Sequence, residues 1–180
     1  MESNRGSNME RMNRLYLHIP RLEELDYRQK ILLQPDTMAY NKGFHLQFID
    51  YDNETGCIYF RKQDWKSWFD FWINQGPDRF YAYIVKREDH QFIGEVSFRY
   101  DKHYEAHMVG IIIEAQHRGK GYCEEALNLL VQVAFDIYGL ERLQDDIPAE
   151  RETAHKAFAK VGFKKKRVEH GNILVELVKK

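Results

Sequence analysis

The chain has 180 residues, 43% hydrophobic and 31% charged, with a formal net charge of −1. That length supports one domain with a good core and is short for two, and the near-neutral balance argues against a protein that binds nucleic acid by neutralising phosphates. Two cysteines, Cys57 and Cys123, without paired Cys or His spacing indicate neither a disulfide framework nor a metal site, and no run reaches the roughly 18 apolar residues of a membrane span, so a reducing, cytoplasmic protein with no membrane partner is expected.

Met1 to Asn13 is polar and nearly free of large aliphatics, which predicts a disordered arm ahead of a single domain over residues 14–180. LYLHI from Leu15 alternates as a first strand and stops at Pro20. Leu22, Leu25, Ile31 and Leu32 then share a helical face, and Pro35 opens a short second helix that Gly43 can end. Phe44 to Phe60 reads as a hairpin around a DNETG turn, followed by a helix that Asp64 can cap, with Trp65, Trp68 and Trp72 at helical spacing.

RFYAYIVKREDHQFIGEVSFRYD, residues 79–101, is the strongest hairpin signal in the chain. Alternation sets Ile93, Glu95, Ser97 and Arg99 on one face of its second strand and Phe92, Val96, Phe98 and Tyr100 on the other. Glu95 either pairs with Arg99 or faces a cavity. The next strand puts Glu105, His107, Val109, Ile111 and Ile113 on one side, with Gly110 in its middle, where a glycine often marks a bulge or a close backbone. ERLQDDIPA is a further strand in which Asp145 and Asp146 are unusual, because Asp is depleted in strands. A carboxylate there either attracts an ammonium group or pairs with a strand-end Lys or Arg. A helix over residues 150–163 stops at Gly162, and the chain closes with a solvated KKKR run, an HGN turn and an alternating strand, ILVEL. Two hairpins within an alternation of strands and helices predict a mixed α/β fold with a mostly antiparallel sheet of about six or seven strands and helices on both faces.

The most informative stretch is Gly110 to Phe135. Ile111, Ile112 and Ile113 form a buried strand, a polar turn carries Gly119 and Gly121 between Arg118 and Tyr122, and a helix follows with Ala126, Leu127, Leu130, Val131, Ala134 and Phe135 as its apolar stripe. The first turn of a helix leaves N–H groups unpaired and favours an anion, glycines let a phosphate approach the backbone, and Arg118 and Lys120 add charge. A nucleoside triphosphate loop needs Ser or Thr where Tyr122 stands, and a dinucleotide fingerprint needs glycine where Glu124 stands.

RGKGYCEEAL resembles the pyrophosphate loop of the GNAT superfamily of acyl-CoA-dependent N-acyltransferases, whose pattern is Gln or Arg, two residues, Gly, one residue, Gly or Ala. Arg118, Gly121 and Cys123 take those places in the register that the isoleucine strand favours, with Cys123 a departure, and Gln116, Gly119 and Gly121 in the rival register. GKGYCEEAL is most similar to the branch of ribosomal-protein and polyamine acetyltransferases. The resemblance implies a sheet splayed between two central strands, acetyl-CoA as co-substrate held by Ile111, Ile112, Ile113, Arg118, Gly119, Lys120, Gly121, Tyr122 and Cys123, and an acceptor wall that includes Tyr40. It further implies transfer of an acetyl group to a primary amine of a small molecule or protein terminus, by direct attack. A strand N–H near Ile111 to Ile113 would polarise the carbonyl, and Glu95, Glu105 and His107 are the candidate bases.

Against the related segment Arg151, Ala154 and Phe158 replace Asn, Ser and Tyr, and Phe158 has no proton for a leaving thiolate. A non-catalytic acyl-CoA-binding or sensing module is therefore the alternative. Exposed C-terminal edge strands allow a homodimer.

Overall fold

The computed structural model describes residues 13–47 and 50–180. The expected arm, Met1 to Asn13, lies outside the described residues except for Asn13. Alternating apolar runs form seven strands: β1 (Leu15–His18), β2 (Arg79–Lys86), β3 (Phe92–Asp101), β4 (Ala106–Ile113), β5 (Arg142–Pro148), β6 (Lys164–Glu169) and β7 (Asn172–Val178). They make one sheet in the order β1-β2-β3-β4-β5-β7-β6. Every pairing is antiparallel except that of β4 with β5.

Helices cover both faces: α1 (Leu25–Leu32), α2 (Pro35–Met38) and α3 (Trp65–Trp72) on one, α4 (Tyr122–Gln132) and α5 (Glu152–Val161) on the other. β2 shows why the sheet can serve two cores. Phe80, Ala82 and Ile84 point into the core beneath α4, while Tyr81, Tyr83 and Val85 point into the core beneath α1 and α3. The indoles of α3 belong to that second core, where Trp68 and Trp72 pack on Tyr81 with ring centroids 4.7 and 6.0 Å away. Asp64 stands at the N-cap of α3 but makes no side-chain capping bond.

Three expectations are corrected. The hairpin over Phe44 to Phe60 is a turn without strands: Gly56 N–H donates to Asp52 O at 2.8 Å, Tyr51 and Ile58 form an isolated bridge, and Phe48 and Ile49 fall outside the described residues. Phe44 and Tyr59 are exposed while Cys57 and Phe60 are buried in the core beneath α1 and α3, so the segment packs its C-terminal end on the domain without forming a sheet of its own among the described residues. A bulge in β3, where Ile93 is an extra residue opposite the Ile84–Val85 step of β2, moves Phe92 to the face of Glu95 and Ile93 to that of Val96 and Phe98, the reverse of simple alternation. Finally, Gly110 marks no bulge, since β3 and β4 stay in register past the Ser97–Gly110 pair. Within this part of the sheet a close backbone approach occurs instead at Gly94, where a Cβ would overlap the Ile112 carbonyl oxygen.

α4 continues as one π-helical turn, Val133–Ile137, and stops at Gly139 with φ 67°. Its start is tied to the first strand by the buried carboxylate of Glu125, which accepts from the N–H groups of Arg14 at 2.6 Å and Leu15 at 2.8 Å and from Arg14 Nε at 3.1 Å. Replacing Glu125 by Ala strands two N–H groups next to the core, and we expect a loss of about 2–4 kcal/mol, read from the urea midpoint.

Candidate active site

The site begins with a break in the sheet. β4 and β5 pair only at His107–Leu143 and Met108–Gln144. Beyond these pairs the two strands diverge, so Val109–Ile113 and Asp145–Pro148 face a gap instead of each other's hydrogen-bonding edge. This is the expected splay.

At the open end of the gap the chain turns into α4 through Gly119 and Gly121, whose φ angles of 75° and 78° are left-handed. A Cβ at Gly119 would meet nothing within 4 Å, so the space outside the turn is open. The first ladder bond of the helix is Glu125 N–H to Gly121 O at 3.3 Å, which leaves the N–H groups of Tyr122, Cys123 and Glu124 outside the ladder. Both acidic side chains of this turn are engaged elsewhere: Glu125 with β1, and Glu124 with Lys160 at 3.6 Å.

Arg118 has a different task from the one its charge suggested. Its guanidinium donates to three backbone carbonyls, Ile113 O at 3.0 Å, Asp36 O at 3.2 Å and Thr37 O at 2.7 Å, and so pins α2 to the end of β4. The cation over the turn is instead Arg14. It donates to Lys120 O at 2.9 Å and lies 4.6 Å above the Tyr122 ring. Its distance of more than a hundred residues from the turn hid this from sequence reading. Cys123 is a free thiol that burial pushes up to about 11. His117, buried at the root of the turn, has no hydrogen-bond partner for either ring nitrogen among the described residues, and desolvation lowers its pKa.

The three candidate bases are not together. Glu95 pairs in register with Ile112, beside the open gap, and its carboxylate points into the α1–α3 core. There it binds Arg28 Nη1 and the Tyr81 hydroxyl, not Arg99, whose nearest carboxylate is Asp101 at 3.9 Å. The Arg28 guanidinium lies 4.6 Å from the Trp68 ring centroid and 5.3 Å from that of Phe60. Desolvation opposes its charge, yet Glu95 prevails and holds its pKa above the ordinary value.

His107 belongs to the closed end of the gap, in the last region where β4 and β5 still pair. Four strand residues, about 13 Å, separate it from Ile111. It packs edge-on against Phe98, donates from Nε2 to Pro77 O at 3.1 Å, and burial lowers its pKa. Glu105 precedes β4 and is exposed, its carbonyl bound by Arg142 Nη2 at 2.6 Å.

On β5 the two aspartates part company. Asp146 accepts from Tyr104 OH at 2.8 Å and Asn172 Nδ2 at 3.1 Å. Asp145 accepts from Asp146 N–H at 2.9 Å, and burial, the largest effect, pushes its carboxyl up to about 7 against the weaker pull of Arg151. Arg151 closes the top of the site: it donates to Tyr40 O and stacks 4.8 Å from the Tyr40 ring and 5.5 Å from Phe44. Burial and the charge of Glu95 push the Tyr40 hydroxyl up to about 12.

A family model for the acetyltransferase (GNAT) domain matches residues 14–164. The chain belongs to the GNAT acetyltransferases. Solved GNAT structures share the fold. A spermidine N-acetyltransferase SpeG variant from Vibrio cholerae superposes with a TM-score of 0.68 at 15% identity, covering 92% of this chain and 94% of that one. The microcin C7 self-immunity acetyltransferase MccE, in complex with acetyl-CoA and AMP, gives 0.68 at 17%, covering 92% and 93%. A Vibrio cholerae protein classed as a ribosomal-protein-serine acetyltransferase gives 0.62 at 16%, covering 93% and 95%. No curated protein matches the sequence.

As a GNAT acetyltransferase the chain takes acetyl-CoA as co-substrate, and the site fits it. The open glycine turn and the unpaired N–H groups of α4 suit the pyrophosphate, and the gap between β4 and β5 suits the pantetheine arm. No helix among the described residues is long and apolar enough to cross a membrane.

The raised pKa of Asp145 has a thermodynamic sign. Its ordinary pKa is near 4, so the ionised carboxylate opposes folding, an effect absent below about pH 4 that grows as pH rises to about 7. Asp145→Asn therefore raises the melting temperature of the unliganded protein by several degrees at pH 8 and leaves it unchanged near pH 4, by calorimetry.

Proposed function

We propose that residues 14–180 act as one acetyltransferase domain that takes a primary amine from the α1–α3 face and deprotonates it through Glu95. The observation that carries this is the pairing of Glu95 with Ile112: a buried carboxylate stands level with the open part of the gap, one strand away from it, on the face away from α4. Glu105 and His107, by contrast, are at the closed end.

The amine of a physiological acceptor is protonated, so a base must remove a proton before the nitrogen lone pair can attack. Glu95 serves directly or through one water, and its charge with that of Asp146 draws the ammonium in. Tyr40, Trp68 and Trp72 supply an apolar wall for the acceptor's carbon skeleton. Strand N–H groups at Ile111 to Ile113 suit the polarised carbonyl, and Gly119, Lys120, Gly121, Tyr122 and Cys123 hold the pyrophosphate, with Arg118 fixing the turn from behind. The acetyl group is supplied by the bound thioester. The acceptor is a small-molecule amine or a peptide N-terminus. A cytoplasmic setting fits the two free cysteines, and the open edges of β1 and β6 suit a homodimer contact.

Thermal shift separates this ligand from its rivals. Acetyl-CoA and CoA should each raise the melting temperature and ATP should not, and Gly121→Val should erase the shift, because a β-branched residue at φ 78° strains the turn by about 1–2 kcal/mol and fills the phosphate's place. An unchanged shift in that variant rejects the phosphate turn. In thiol-release assays Glu95→Gln should lower kcat about a hundredfold while His107→Ala stays within about twofold; the opposite ranking moves the base to β4.

A further inference from the structure

A carboxyl group at the open end of the gap has no place in the chemistry so far. Asp145 is the first residue of β5 past the last pair with β4, between Leu143 and Ile147, which both point into the core beneath α4 and α5. Its side chain is thus on the face opposite Glu95. Four elements converge on it: β5 itself, β7 through the paired Val175, the first turn of α4 through Cys123 and the start of α5 through Arg151. The titratable and charged groups facing it are Asp146, Cys123 and Arg151. Among the described residues its carboxyl accepts one hydrogen bond, from the Asp146 N–H.

The position matters because breaking a thioester by amine attack generates charge twice. On the amine side a proton must leave, and on the sulfur side a thiolate must be neutralised inside a cleft shielded from water. Phe158 of α5, buried against Phe163 in the same core, carries no proton. Cys123 can offer only a thiol whose proton is held more tightly than that of the departing thiol, since burial raises it. Of the carboxyls that β5 and the first turn of α4 bring to this face among the described residues, Glu125 is held by the N–H groups of Arg14 and Leu15 and Glu124 by Lys160, whereas Asp145 receives a backbone N–H.

Building on the acetyltransferase function above, we propose that Asp145 is the general acid that protonates the departing CoA thiolate. The nitrogen lone pair forms the C–N bond, the C–S bond breaks with its electron pair on sulfur, and that pair takes the proton from Asp145 Oδ. Asp145 is left as carboxylate beside Arg151 and recovers a proton from solvent after the thiol leaves. Nitrogen loses two protons, one from the ammonium before attack and one from the addition intermediate, both by way of Glu95 to solvent; Asp145 takes one back, so one turnover releases one proton net. A carboxyl that titrates near neutrality suits this work, being protonated often enough to donate and acidic enough to give the proton up. A neutral carboxyl does not attract an ammonium group, which is why recognition of the acceptor falls to Glu95 and Asp146.

Two measurements test it. Infrared difference spectra of the ligand-free protein between about pH 6 and pH 8 should show a protonated-carboxyl band that disappears as pH rises and is missing from Asp145→Asn. In steady-state kinetics Asp145→Asn should lower kcat about a hundredfold with KM for acetyl-CoA unchanged, and should remove the falling limb of the kcat–pH profile above neutrality. No titrating band, or a variant with wild-type kcat and pH profile, overturns the assignment of Asp145. A wild-type protein that binds no CoA overturns the acetyltransferase mechanism itself, and calorimetric titration with CoA reads that separately.

Discussion

The parting of β4 from β5 after two residue pairs is the constraint on which everything else in the molecule depends. A continuous sheet would satisfy both strand edges with each other and leave no slot between them. Because the pairing stops at Met108 and Gln144, two rows of backbone groups and the side chains beside them become available to a ligand. The rest of the architecture keeps the gap from closing or fraying. β3 holds β4 in unbroken register over eight pairs, and β7 holds β5 over seven. Each side of the gap is therefore rigid, and the opening is a property of the fold and not of a mobile loop.

Two ties set the ends of that opening. At the phosphate end, Arg118 binds three carbonyls from two separate segments, and Glu125 gathers the N–H groups of β1, so the glycine turn is clamped on both sides. At the acceptor end, Arg151 binds the Tyr40 carbonyl and stacks on its ring, joining the start of α5 to the segment after α2. Both ties use arginine for the same reason. A guanidinium can serve several carbonyls at once and lie flat on an aromatic face, which a lysine cannot do.

The two faces of the gap carry different electrostatics. On the α1–α3 side Glu95 is matched by Arg28 among aromatic rings, so the site keeps a negative charge available close to a compensating positive one. On the α4–α5 side Asp145 meets Arg151 and the Asp146 N–H among the described residues, and burial outweighs both. The two carboxyls thus meet different surroundings across a single layer of sheet, an ion pair among aromatic rings on one face and desolvation on the other.

Local pattern was enough for much of this. The strand–glycine turn–helix over Gly110 to Phe135, the hairpin over residues 79–101 and the two-faced sheet could all be read from the chain, because hydrophobic period and glycine placement are properties of neighbouring residues. Local pattern also misled where burial was missing, at Phe44 to Phe60, and where one extra residue in β3 exchanged the faces of Phe92 and Ile93. What the sequence by itself determined was the family, the cofactor and the glycine turn that opens α4. Only the tertiary structure decided that Glu95 faces the α1–α3 core, that it is paired with Arg28 and not with Arg99, and that Asp146 is bonded by Tyr104 and Asn172 while burial raises the pKa of Asp145. Those outcomes depend on contacts between segments dozens of residues apart and on the water they exclude, and neither is written in the spacing of residues along the chain.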